Sequence, residues 1–403
     1  MSVPRKQRDA FEVTDPASDT DTHSDSITRQ LAARFASWTG HPPLGIWSAP
    51  GRVNLIGEYL DLNGGLVLPL AIPQRARVAL AERADGRLRV RSDQRPEVVE
   101  FEVGDLVPGQ VSGWAGYLAG VLWAVRQHAG LDRGVDLWLD GRVPQGAGLS
   151  SSAAIECAAA LGLGCLAELG YGAEQLARLA QSAEVDFMGV PSGLMDQMAA
   201  MCCQAGHALL FATDTGRTSQ VRLPFASAEV ELLVIDTRVR HQVAESGYAD
   251  RRAACLRAAE ELRLRWLAQA SWADLGRLRD PSLRRRAQHV VSEQYRVRQC
   301  VDALQRGDLR TVGSLMVESH VSLRDDLEVS SPELDLAVET AMASGAIGAR
   351  MTGSGFGGAA IALSPTPLAA KIGSEVIEAF ARQRLRTPTV TAVTPSDGAR
   401  REL

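Results

Sequence analysis

The sequence predicts a two-domain α+β protein, and three observations carry that reading. At 403 residues the chain exceeds what one hydrophobic core usually covers. Short β-like runs are interspersed with amphipathic helical stretches throughout. Beyond residue 215 the texture changes to long helices rich in Arg, Glu, Ala and Leu. These give a tail at residues 1–26, a first domain at 27–215 and a second at 216–403.

Residues 1–26 are rich in Asp, Ser and Thr and poor in large apolar side chains, so they cannot repay their ordering entropy and are expected to be disordered. An amphipathic helix follows near residues 27–38, with Leu31, Phe35 and Trp38 on one face. Residues 45–72 read as two strands around a turn rich in Gly and Asn, and the turn carries Glu58 and Asp61. Carboxylates on a glycine-bent loop suit a sugar, since each accepts from two hydroxyls; ordinary turn chemistry also explains them. A helix around 114–128 leads to a strand at 135–139, and the most informative stretch follows directly.

That stretch is Pro144–Ala154: a loop with two glycines, then three serines opening an Ala-rich helix. Helix N-terminal N–H groups, the dipole and the hydroxyls of Ser150, Ser151 and Ser152 make an anion cradle, although a Ser-capped helix after a Gly turn has the same letters. A GxxxxGK[ST] phosphate loop is excluded, because the only lysines are Lys6 and Lys371. Protein kinase motifs are absent too. Further on, Glu184 stands in an apolar helical stretch, where a carboxylate is exposed, paired or metal-bound. Ser192 is placed to cap a helix whose first turn holds Asp196, whose carboxylate the dipole keeps ionised.

In the second half, residues 230–236 read as a strand, a long helix runs to about residue 267, and helices fill 274–316 and 332–343. Gly353, Gly355 and Gly358 form a GxGxxG, but a strand-like run follows where a dinucleotide site needs a helix. A glycine turn between strands is the better reading, either a phosphate-pocket wall or a tight hairpin.

Composition closes other classes. A formal net charge of −5 gives no case for nucleic acid or an anionic membrane, and the run Arg284–Arg286 reads as a solvated helix face. Six cysteines without CxxC spacing point to reduced, buried thiols in the cytoplasm. Seven scattered histidines offer no structural zinc set, and no apolar run has membrane-spanning length.

Taken together, Arg52–Pro69, Pro144–Ala154 and Gly348–Gly358 resemble the motifs of the GHMP small-molecule kinases, with details similar to the galactokinase branch. Gly51–Gly65 matches that branch's first signature except that Tyr59, Leu60 and Leu62 replace His, Thr and Tyr. Further likeness lies in Gly193–Gln197, Ser246–Arg252 and Leu315–Asp326, so the resemblance spans about 45–363.

The resemblance implies a two-domain GHMP kinase fold, an N-terminal mixed-sheet domain and a C-terminal α/β sandwich, with the active site in the cleft between them. It implies an enzyme that phosphorylates the C1 hydroxyl of galactose with ATP and Mg²⁺. Gly146, Ala147, Gly148, Leu149, Ser150, Ser151, Ser152, Gly353 and Gly355 would bind nucleotide, and Ser152 and Glu184 the metal. Asp196 would be the base facing the C1 hydroxyl and Arg52 its partner; Glu58, Tyr59, Asp61, Gly193 and Tyr248 would contact the sugar. Beside Arg52 and a helix start, Asp196 would mainly orient the nucleophile. The three departures leave arabinose, galacturonate or N-acetylgalactosamine as other substrates, and a non-catalytic sugar and ATP sensor as another class. The intact Arg52, Glu184 and Asp196 set argues against the sensor. A monomer or weak homodimer is expected.

Overall fold

The computed structural model describes residues 11–12, 20–131, 133–240 and 244–403. Its N-terminal half is built on a six-stranded mixed sheet, in the order Arg400–Arg401, Gly45–Asn54, Pro69–Arg83, Gly134–Gly141, Arg87–Ser92, Arg95–Glu102. Gly45–Asn54 is buried along its whole length because both faces are covered. On one face the helix Thr20–Thr39 lays Leu31 and Phe35 over Ile46, Ala79 and Trp138. On the other lie the helices Trp114–Ala129 and Ser151–Leu166, the latter so close that a Cβ at Gly162 would stand 2.9 Å from the Trp47 ring.

The C-terminal half is a five-stranded sheet, Phe11–Glu12, Thr389–Val393, Val230–Arg240, Gly357–Pro365, Gly348–Thr352, packed against the helices Leu309–Ser322, Pro332–Ala343 and Ala369–Arg382. One buried apolar cluster runs from Trp47 to Val393 and joins the halves. Among the described residues no helix is long and apolar enough to cross a membrane.

Several expectations need correction. Most of the tail lies outside the described residues, but Phe11–Glu12 pair with Val390 and Thr391, and the helix begins at Thr20. Its start is fixed by Arg77, which donates to the Ser24 hydroxyl (2.8 Å). The change of domain expected at residue 216 falls on the turn of a hairpin, His207–Ala212 with Arg217–Arg222, whose first strand pairs with Leu66–Val67. The last residues return to the first sheet, where Ser48 donates to Glu402 (2.7 Å) and Arg75 to the Gly398 carbonyl (2.7 Å). The helix expected to reach residue 267 ends at Leu262. Arg286 is buried, not solvated, and bonds to Glu328 (2.5 Å). Of the cysteines, Cys157, Cys203, Cys255 and Cys300 are buried, whereas Cys165 is exposed.

Candidate active site

The strand Gly134–Gly141 feeds the serine-rich loop, which bends at Gly146 (φ 69°) and Gly148 (φ 72°), conformations that glycine adopts without strain. Ser150 continues the bend at φ 57°, and its hydroxyl does not cap the helix Ser151–Leu166; it donates to Asp196 instead. The loop is therefore more than a capped helix start. Across from it, the glycine turn between Gly348–Thr352 and Gly357–Pro365 presses against it. A Cβ at Gly353 would stand 3.0 Å from the Gly148 carbonyl, and one at Gly358 would stand 3.3 Å from that of Ala147. Backbone meets backbone, so the turn is the opposite wall of the loop.

Arg52 joins this loop to a carboxylate. From Gly45–Asn54 its Nε and Nη2 grip the two oxygens of Asp196 at 2.8 and 2.7 Å, while Nη1 donates to the Gly148 carbonyl at 2.5 Å. Such a bidentate fork fixes direction as well as charge. Asp196 sits in the first turn of the helix Met195–Cys202, which Ser192 does not cap.

Ser192 serves Glu184, which stands in a π-helical turn, Ala183–Phe187. The Glu184 carboxylate accepts from Ser152 (3.0 Å), Ser192 (2.8 Å) and Gln197 (2.8 Å). Burial pushes its pKa up, and those three donors oppose the shift. Among the described residues no group of three or more His, Cys, Asp or Glu is arranged to hold a metal. Ser152 and Glu184 together offer two hard oxygens, a set that fits Mg²⁺ arriving with phosphate and water ligands of its own.

On the loop expected to hold a sugar, Asp61 abuts Gly193 so tightly that a Cβ there would overlap the Asp61 carboxylate. Burial, then the charge of Asp196, raises the Asp61 pKa to about 7 against the pull of Arg52. Tyr59 (φ 66°) packs its ring 5.5 Å from that of Tyr248 and donates its hydroxyl to the Ser354 carbonyl (2.7 Å). Burial raises both phenol pKa values.

Glu58 departs from the expected role. It is 2% exposed, and both oxygens are engaged: Asn54 donates to Oε2 (3.0 Å), which also forms an ion pair with Arg350 (2.5 Å), and Thr352 (3.1 Å) and the Gly353 N–H (3.1 Å) donate to Oε1. With its lone pairs engaged, Glu58 fastens the loop to the C-terminal half. Glu293 extends this hub, accepting from Gly57 N–H (2.9 Å), Ser319 (2.7 Å) and Arg296 (2.7 Å). Burial pushes Glu293 up, but Arg296 and Arg350 hold it down at about 2. Sequence reasoning missed Arg350, Glu293, Thr352 and Gln197, because only the fold brings them to their partners, and it missed Asn54, which lies four residues before Glu58 in the same stretch.

Comparisons with known proteins bear on the family of the chain. Residues 33–82 match the galactokinase galactose-binding signature, residues 116–204 the GHMP kinases N terminal domain and residues 300–382 the GHMP kinases C terminal domain. The chain is 47% identical to a galactokinase of Streptomyces coelicolor over 385 residues, 94% of this chain and 99% of that one. The crystal structure of Lactococcus lactis galactokinase complexed with galactose superposes with a TM-score of 0.88 at 29% identity, covering 93% of this chain and 99% of that one. Methanococcus jannaschii mevalonate kinase, at 15% identity and a TM-score of 0.65 over 87% of this chain and 98% of its own, shares the fold alone.

Proposed function

The chain belongs to the galactokinase family of the GHMP kinases, and from that premise we propose that it transfers the γ-phosphoryl group of ATP to the C1 hydroxyl of galactose, giving galactose 1-phosphate and ADP. The observation that carries this reading is Arg52, one side chain bonded both to Asp196 and to the phosphate-loop carbonyl of Gly148. On this reading one guanidinium links the carboxylate that faces the sugar hydroxyl to the loop that cradles the nucleotide. We assign the residues to two lobes, 20–222 and 230–393, with residues 11–12 in the second and residues 400–401 returned to the first.

The new bond joins O1 of the sugar to phosphorus while the bond from phosphorus to the ADP oxygen breaks. In a loose transition state the hydroxyl proton leaves late, so Asp196 aims the oxygen and receives the proton as the bond completes. Arg52, buried and held by the fork, faces the charge that develops on the transferred group. Ser152 and Glu184 would hold Mg²⁺, which supplies charge neutralisation at the phosphate oxygens. Backbone N–H groups and hydroxyls at 146–152 cradle the phosphates without a lysine, and Gly353–Gly358 closes the pocket. Asp61, Tyr248 and the backbone at Gly193 bind the sugar hydroxyls, with Tyr59 lining the site and Glu58 positioning the loop.

Asp196→Asn and Arg52→Ala test the assignment. Each is expected to lose turnover by at least about 100-fold, the scale of one lost transition-state donor, while nucleotide binding measured by calorimetry survives. Wild-type turnover in either purified variant contradicts it.

A further inference from the structure

Behind Glu184 lies a cluster that the phosphoryl transfer itself does not use. Glu156 stands one helical turn after Ser152, on the same face of Ser151–Leu166, and is fully buried. Gln197, next to Asp196, is fully buried too. The amide nitrogen of Gln197 donates to Glu156 Oε2 (3.1 Å) and to Glu184 Oε2 (2.8 Å), which uses both of its N–H groups. Two buried acceptors are left over, Glu156 Oε1 and Gln197 Oε1, with no hydrogen-bond partner among the described residues.

We propose that Glu156 and Gln197 form a buried acid–amide pair that aims the second Gln197 N–H at Glu184, making both of them positioning residues for the cation site. This deepens, and rests on, the reading of Ser152 and Glu184 as cation ligands. An ionised Glu156 has acceptors only, so it would leave the Gln197 oxygen orphaned and its own charge buried beside Glu184 and Asp196. One proton on Glu156 Oε1 supplies the missing donor, and the ring closes with both orphans satisfied. Turning the amide over would set its oxygen against the acceptor oxygen of Glu184, so that carboxylate fixes its orientation. Burial, and then the nearby Glu184 carboxylate, push the Glu156 carboxyl well above its usual range in agreement. The pair thus locks the cation-side carboxylate to the residue following Asp196.

The test uses full-length protein and two readouts. In infrared difference spectra, wild type minus Glu156→Gln shows a protonated-carboxyl C=O band at neutral pH; its absence overturns the pair without reference to any metal. Mn²⁺ binding with ADP, followed by electron paramagnetic resonance, reads the positioning. Outer-shell partners of metal ligands are worth about 10- to 100-fold in affinity, so Gln197→Leu is expected to weaken Mn²⁺ about tenfold with the galactose KM unchanged. Glu156→Gln retains a ring-closing N–H and is expected to hold Mn²⁺ within about twofold of wild type. An equal loss in Glu156→Gln overturns the proposal, as does an unchanged affinity in Gln197→Leu. Glu184→Gln serves as the reference: if it leaves Mn²⁺ binding intact, the cation site is what fails, and the infrared band still decides the pair.

Discussion

Replacing Gly193 by alanine separates sugar binding from the rest of the site. The added Cβ would overlap the Asp61 carboxylate, 2.6 Å from its Cγ and 3.0 Å from its Cβ. No rotamer of alanine relieves this. The φ of Gly193 is not in the left-handed region, so the backbone itself tolerates the change. What gives way is the Asp61 side chain, the flexible partner. A hydrogen bond to a charged group is worth about 1.5–3 kcal/mol, so displacing the carboxylate from the hydroxyls it serves should raise the galactose KM roughly 10- to 100-fold. The nucleotide KM should stay near wild type, because the three atoms nearest the added Cβ all belong to Asp61. Initial rates with galactose and ATP varied separately provide the assay, with a melting curve to establish folding. A folded Gly193→Ala enzyme with an unchanged galactose KM would refute the placement of Asp61 against the sugar.

Three further outcomes follow from charges that the fold brings together. Asp61, with a pKa near 7, has to be ionised to accept from two hydroxyls, so kcat/KM for galactose should fall about tenfold between pH 8 and pH 6, with Asp61→Asn low and flat. In stability the sign is opposite: the raised pKa stabilises the folded protein at acid pH, and that contribution is lost as pH rises from 3.8 through about 7, so Asp61→Asn should show a shallower decline in denaturant titrations over that window. Arg350→Met removes the cation paired with Glu58 and leaves both Glu58 and Glu293 short of a partner, which should destabilise the protein by about 3–5 kcal/mol. An unchanged melting temperature contradicts the hub.

What was legible in the sequence was local. Gly146, Gly148 and Ser150–Ser152 suggest the bent loop and helix start on which the proposed phosphate cradle rests, because the glycines and the serines act within a few residues of one another. The turn at Gly353–Gly358 was legible because a strand follows it. Asp61 against Gly193, Glu58 against Arg350 and Gln197 against Glu184 were not, since each contact joins elements whose packing sets the pairing. Ser192 shows the cost of local rules: the cap reading was sound chemistry, but Glu184 offers that hydroxyl a buried carboxylate. Glu58 shows the same at a distance, because its loop position suggests a sugar while Arg350, Thr352 and Gly353 claim its oxygens.

The central claim is tested most directly by purified protein, ATP and Mg²⁺ offered galactose, 2-deoxygalactose, N-acetylgalactosamine, arabinose, galacturonate and glucose, with products followed by phosphorus NMR. Galactose should dominate ATP consumption, and the new resonance should couple to the anomeric proton of galactose 1-phosphate. Preference for another sugar, phosphate at another carbon, or sugar binding without turnover would contradict the account.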